Sequence, residues 1–137
     1  MRIALAQVCS TGDVTANLEL IRDHVAKAAE QGARLVVFPE ATMRAFGHNL
    51  DTIAEPLDGP FATAIAEVAA AHDVTVVVGM FTPGQPRDGR PRVRNTLLAA
   101  GPSGVAGYDK IHLFDAFGFS ESDTVEAGRA EVRITVD

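Results

Sequence analysis

Leu35-Val36-Val37-Phe38-Pro39-Glu40 runs an apolar stretch into a proline and then a carboxylate, and that order of residues decides the fold class. Four successive apolar side chains, entered through Gly32-Ala33-Arg34, suit a strand covered on both faces, as strands of parallel sheets are. Pro39 lacks an N–H, so the ladder stops there. Ligands of open α/β sheets gather beyond the carboxyl ends of strands. Glu40, held at such an end in a partly dry site, is therefore a candidate for proton transfer. Position alone leaves a solvated turn acid as the alternative.

Working outward, Arg2 to Cys9 reads as a first strand, and Asp13 is placed to cap a helix over Val14 to Gln31. Leu18, Ile21, Val25 and Ala28/Ala29 give that helix one apolar face, and Gly32 stops it. Strand, helix and strand make a βαβ unit. Ala41 to Pro56 is irregular, with Phe46-Gly47-His48-Asn49 as a pocket loop. Gly59-Pro60 opens a second helix, Phe61 to Ala71, and Val74 to Phe81 reads as a third interior strand. Pro83 to Pro91 is a surface loop. Its arginines, with Arg92 and Arg94, suit solvation better than an anion site on an acidic chain, and they are given no function. Val93 to Ala100 and Val105 to Tyr108 form a hairpin about Gly101-Pro102-Ser103-Gly104. Gly118 to Gly128 reads as a loop, and Glu131 to Val136 alternates as a last strand.

The 137 residues, 47% hydrophobic, are enough for one domain with a core. A net charge of −6 argues against nucleic acid or an anionic membrane as partner. A small molecule or another subunit remains, including a second copy in a homo-oligomer. A single cysteine forms no internal disulfide, and no metal-ligand spacing is present, so no metal is expected and a cytoplasmic, reducing setting is. Ile3 to Cys9 is too short for a signal peptide, and no apolar run is long enough to cross a bilayer.

Lys110 stands where a second strand ends in charge, in Tyr108-Asp109-Lys110-Ile111-His112-Leu113-Phe114. Only Lys27 and Lys110 are lysines among 12 Lys and Arg residues. A compact, titratable ammonium is thus rare here, although a surface cation after a strand is the simpler reading of Lys110 taken alone.

Ala4-Leu5-Ala6-Gln7, Gly12-Asp13 with Asn17, Phe38-Pro39-Glu40, Asn95-Thr96, Lys110-Ile111-His112-Leu113-Phe114, Glu121-Ser122 and Ala127-Gly128 together resemble the nitrilase, or carbon–nitrogen hydrolase, superfamily, in the family's order. The Lys-Ile-His-Leu-Phe pattern followed by Glu-Ser looks nearest the amidase and ω-amidase-like branches. The resemblance implies an α/β fold that is part of a four-layer αββα sandwich, with residues 1–137 as the N-terminal portion of the domain. It implies hydrolysis of a small amide, nitrile or carbamoyl substrate with no organic cofactor. It makes Glu40 the general base, Lys110 the cationic partner and Glu121 a second acid that orients Lys110 or the substrate, with a helix-N-terminal or loop acid as the alternative for Glu121. His112, beside the lysine, reads as a packed, hydrogen-bonded residue in support.

The family's nucleophile is a cysteine beyond the lysine, and no cysteine follows Cys9. Cys9 itself has no role in the resemblance and reads as a small buried hydrophobe. The chain is accordingly expected to be truncated before the nucleophile and inactive alone, with the thiol-dependent Glu-Lys-Cys reaction belonging to the intact enzyme. Two rival expectations are a non-catalytic fragment that associates with another chain, and a flavodoxin-like or Rossmann domain. The latter is disfavoured because Ser10-Thr11-Gly12-Asp13 holds one glycine. The resemblance further predicts Glu40 and Lys110 within about 6 Å of each other, and an apolar sheet face left without a partner.

Overall fold

The computed structural model describes residues 1–136. Five strands form one sheet in the order β1-β2-β3-β4-β5: β1 (Ile3–Leu5), β2 (Leu35–Val37), β3 (Thr75–Pro83), β4 (Val93–Gly101) and β5 (Gly104–Asp109). The first three are parallel, and β4 and β5 are added antiparallel. Two helices, α1 (Val14–Glu30) and α2 (Pro60–His72), follow β1 and β2.

Both helices start and stop for local reasons. Asp13 accepts the N–H groups of Thr15 and Ala16, satisfying two donors that the first turn of α1 leaves open. Gly32 at φ +79° takes the chain out again. Gly59 has no side chain with which to cap α2, and the Glu55 carboxylate accepts from Phe61 and Ala62 N–H instead. Ile21 and Val25 of α1, and Phe61 and Ile65 of α2, pack on Val36, Val76, Val78 and Leu98 of the sheet. This single layer of helices on one face is the main core.

The opposite face differs. Ile3 and Leu5 of β1 and Leu97 of β4 are exposed there. Its far end is covered, where Ala41, Phe81, Val93 and Val125 form a second small cluster with Leu50 and Leu113. Ser103 Oγ also donates to Thr135 O, 3.1 Å away, where Arg133, Ile134 and Thr135 pass Ala99 and Ala106.

Three sequence expectations need correction. The first strand is Ile3–Leu5, not Arg2 to Cys9, because β2, its one neighbour among the described residues, is itself three residues long. Glu131 to Val136 forms no strand: its alternation finds no ladder. Gly118 to Gly128 is not plain loop, since β6 (Asp115–Ala116) and β7 (Phe119–Ser120) pair as a short hairpin, followed by a 3₁₀ turn at Glu121–Asp123. The hairpin's Phe117-Gly118 turn has φ of +54° and +80°. Among the described residues, no helix is long and apolar enough to cross a membrane.

Candidate active site

Topology brings the candidate residues to one end of the sheet. Because β4 is antiparallel to its neighbours, its first residues lie beside the carboxyl ends of β3 and β5. Glu40 follows β2, Asn95 lies near the start of β4, and Lys110 follows β5 directly.

Strands β2 and β5 are three spacings apart, roughly 14 Å at about 4.8 Å per strand. Gly79 shortens that gap. A Cβ on Gly79 would stand 2.5 Å from Ala41 N and 2.6 Å from Glu40 Cα, so the missing side chain lets the Glu40 backbone lie directly over β3. Two hydrogen bonds pin the crossing: Gly79 N–H to Pro39 O at 3.1 Å, and Met43 N–H to Gly79 O at 2.9 Å. Ala41 takes φ +54°, a conformation unfavourable to a residue with a Cβ, and turns the chain immediately after the glutamate. Thr42 Oγ1 closes that turn onto Pro39 O at 2.7 Å.

Lys110 is fixed on both sides of its backbone, donating to Asn95 O at 2.8 Å and accepting from Gly128 N–H at 2.9 Å. Its ammonium lies 3.8 Å from Glu40 Oε2 and 3.0 Å from Glu121 Oε2. The first distance is inside the 6 Å expected. The Glu121 side chain is 7% exposed, the Lys110 side chain 29% and the Glu40 side chain 55%, so the cluster grades from a buried acid to one open to solvent. Glu40 is thus wetter than the partly dry site expected of it.

Glu121 is the most constrained of the three. Its backbone N–H donates to Phe114 O at 3.2 Å, and its Oε2 accepts the Phe114 N–H at 2.6 Å. Burial by itself would raise its carboxyl. The Phe114 N–H, the Lys110 ammonium and the Asn95 amide outweigh burial and hold it below the ordinary value.

A cavity of about 650 Å³ opens over these groups. Glu40, Lys110 and Glu121 line it together with Phe46, Phe114 and Phe119. The Phe46-Gly47-His48-Asn49 loop lines it as the sequence reading expected, with the Phe46 ring set edge-on to Phe81 at 5.9 Å. His112 is exposed and not among the lining residues, so it gives the cluster no packed support. Cys9 is also exposed, not buried as expected, and lies outside the cavity.

Sequence reasoning gave Asn95 no role of its own, yet it is buried and donates from Nδ2 to Glu40 Oε2 at 3.0 Å. The signal was a polar pair, Asn95-Thr96, directly before the apolar run Leu97 to Ala100. Thr96 is tied in as well, to Asp109 at 2.7 Å and to Thr82 at 2.9 Å.

The family model for carbon-nitrogen hydrolase matches residues 2–136. The chain belongs to the carbon-nitrogen hydrolase family. A Mycobacterium tuberculosis protein named only as a hydrolase is 52% identical over 141 residues, which cover 100% of this chain and 49% of that protein. The human ω-amidase is 30% identical over 135 residues, covering 93% of this chain and 48% of the enzyme. A solved carbon–nitrogen hydrolase superfamily protein from Xanthomonas campestris superposes with a TM-score of 0.76 at 29% identity, over 93% of this chain and 46% of its own. The fold is therefore of the nitrilase type, and the chain spans about half the length of the curated relatives it matches.

Proposed function

We propose that this carbon-nitrogen hydrolase chain supplies the proton-transfer and charge-stabilising groups of an amidase-type site, as the N-terminal portion of the catalytic domain. The observation that carries the reading is the Lys110 ammonium between two carboxylates, 3.8 Å from Glu40 and 3.0 Å from Glu121, on the wall of an aromatic-rimmed cavity.

Glu40 is the base. It takes the proton of a thiol as sulfur attacks the carbonyl carbon of a small amide. Negative charge grows on the substrate oxygen, and the fixed Lys110 ammonium stabilises it. Glu40 returns its proton to the departing amine, then activates the water that cleaves the thioester. Glu121 orients Lys110. Cys9 does not line the cavity, so on this reading the thiol comes from polypeptide other than these 137 residues. A reducing compartment such as the cytoplasm suits that chemistry.

The exposed Ile3, Leu5 and Leu97 favour a second reading, in which the chain is a non-catalytic piece that associates through its open sheet face with another chain or with its own copy. One experiment separates the two. The chain is mixed with the unmatched half of the Mycobacterium tuberculosis relative, and ammonia release from small amides is measured. Catalysis predicts turnover that falls about 10²–10⁴-fold with Glu40→Gln and comparably with Lys110→Met. Turnover that survives Glu40→Gln rules out this site, and a stable complex without turnover favours association alone.

A further inference from the structure

Asn95 holds both members of the Glu40–Lys110 pair, by different atoms. Its backbone carbonyl accepts the Lys110 N–H at 2.8 Å, while its Nδ2 donates to Glu40 Oε2 at 3.0 Å. The residue is 4% exposed and sits on β4 opposite Phe81 of β3, so its side chain has no room to swing into solvent.

Carboxylates only accept hydrogen bonds, so the amide nitrogen must face them. Asparagine brings two N–H donors without charge. An aspartate at the same place would set a third carboxylate beside two others that share one ammonium, with no proton to offer either. The contacts on Glu40 are also one-sided. Asn95 donates to Oε2, the Glu40 oxygen nearer the Lys110 ammonium, and Oε1 accepts no hydrogen bond among the described residues.

We propose that Asn95 is a positioning residue that divides the work of the two Glu40 oxygens: Oε2 is anchored by the Asn95 amide, and Oε1 is left as the oxygen that accepts the proton. Asn95 acts through Glu40 and Lys110 and does not touch substrate. The assignment rests on the reading of Glu40 as the base. From one position on β4 it fixes where the carboxylate points and, through the main chain, where the lysine starts.

The test reverses the polarity of the bond in the full 137-residue chain. Asn95→Asp alone removes the donor and adds a charge. Combined with Glu40→Gln it restores one donor facing one acceptor, and it restores the original count of two carboxylates around Lys110. Urea unfolding of the wild type, both single variants and the double variant closes the cycle. Asn95→Asp is expected to raise the unfolding constant about tenfold in the wild-type background and less than about threefold in the Glu40→Gln background. A purely packing role for Asn95 gives the same cost in both backgrounds, and that result overturns the assignment while leaving Glu40 and Lys110 as the proposed pair. If Asn95→Asp does not fold, the double variant must, and failure of both also overturns it. Hydrolysis that survives Glu40→Gln in the mixed assay would instead remove the catalytic reading and leave the measured coupling in place.

Discussion

The two faces of the sheet are built from similar apolar residues and end in different states. On the helix face, Val36, Val76, Val78 and Leu98 are fully buried under α1 and α2. On the other face, Leu5 is 80% exposed at the β1 edge, while Thr75 and Val77 are buried and the loop after Glu40 and the segment before Val125 close over Phe81. The same end holds Glu40, Lys110 and Glu121. One face therefore carries most of the buried core, while the other carries the ion cluster at one end and exposed apolar side chains at the β1 edge.

The largest effect that tests this division lies on the helix face. Ile65 is fully buried between α2 and the sheet, and Ile65→Ala removes three carbons from a packed site. The expected loss is about 2–5 kcal/mol by urea unfolding. For a chain of this size that is a large part of the total. The ion cluster is built from the other face, so the Lys110 to Glu121 contact should persist in whatever fraction stays folded. A loss below about 1 kcal/mol would mean that the helix layer is loosely packed, and the contrast between the faces would weaken.

How much of this was legible depended on whether a feature is local. Helix α1 was, because Asp13, the apolar spacing and Gly32 all lie within its own residues. So were Glu40 and Lys110, since a charge directly after an apolar strand is visible in the chain. Asn95 was legible as part of a motif but not as a partner, because its contact with Glu40 joins residues 55 positions apart and depends on strand register. The end of β1 was hidden for the same kind of reason, being set by the length of β2. Alternation in Glu131 to Val136 states which side chains share a face and says nothing of whether a neighbouring edge is free. The β6–β7 hairpin lacks the Asn-Gly or Asp-Gly pair that usually announces a turn with two positive φ values, having Phe117-Gly118 instead.

A smaller effect separates the charged end of the open face from the rest of it. The Glu121 carboxyl is held below its ordinary value of 4.5 in the folded chain, against the effect of burial, by Phe114 N–H, Lys110 and Asn95. Its stabilising contribution is therefore complete above 4.5 and is lost as pH falls through the lower folded value. Glu126 and Asp115 are held low too, the first chiefly by the Gln85 N–H and the second chiefly by the Ser122 N–H, so the wild type should weaken in acid through several groups. Glu121→Gln isolates one of them. It should cost about 1.5–3 kcal/mol at neutral pH, where a charge-assisted bond is lost, and progressively less as the solution is acidified. A cost that does not change with pH would show that Glu121 is held by shape alone.

The smallest expected effect on stability is at Leu5, and it probes the unpaired end. Leu5 lies on edge strand β1, pairs with Val37 and is almost fully in solvent. A lysine there keeps the backbone ladder and removes only an exposed apolar side chain, so Leu5→Lys should change unfolding by no more than about 0.5 kcal/mol. Its effect on association should be larger. Ile3, Leu5 and Leu97 leave an apolar surface of the kind that draws copies or partners together, and a charge on an edge strand opposes strand-to-strand pairing. Sedimentation of wild type and Leu5→Lys across a concentration series should show weaker self-association in the variant, with hydrophobic-dye binding reduced in parallel. If Leu5→Lys instead destabilises the chain as much as Ile65→Ala, then Leu5 is packed in solution, and the two faces are not the unequal pair described above.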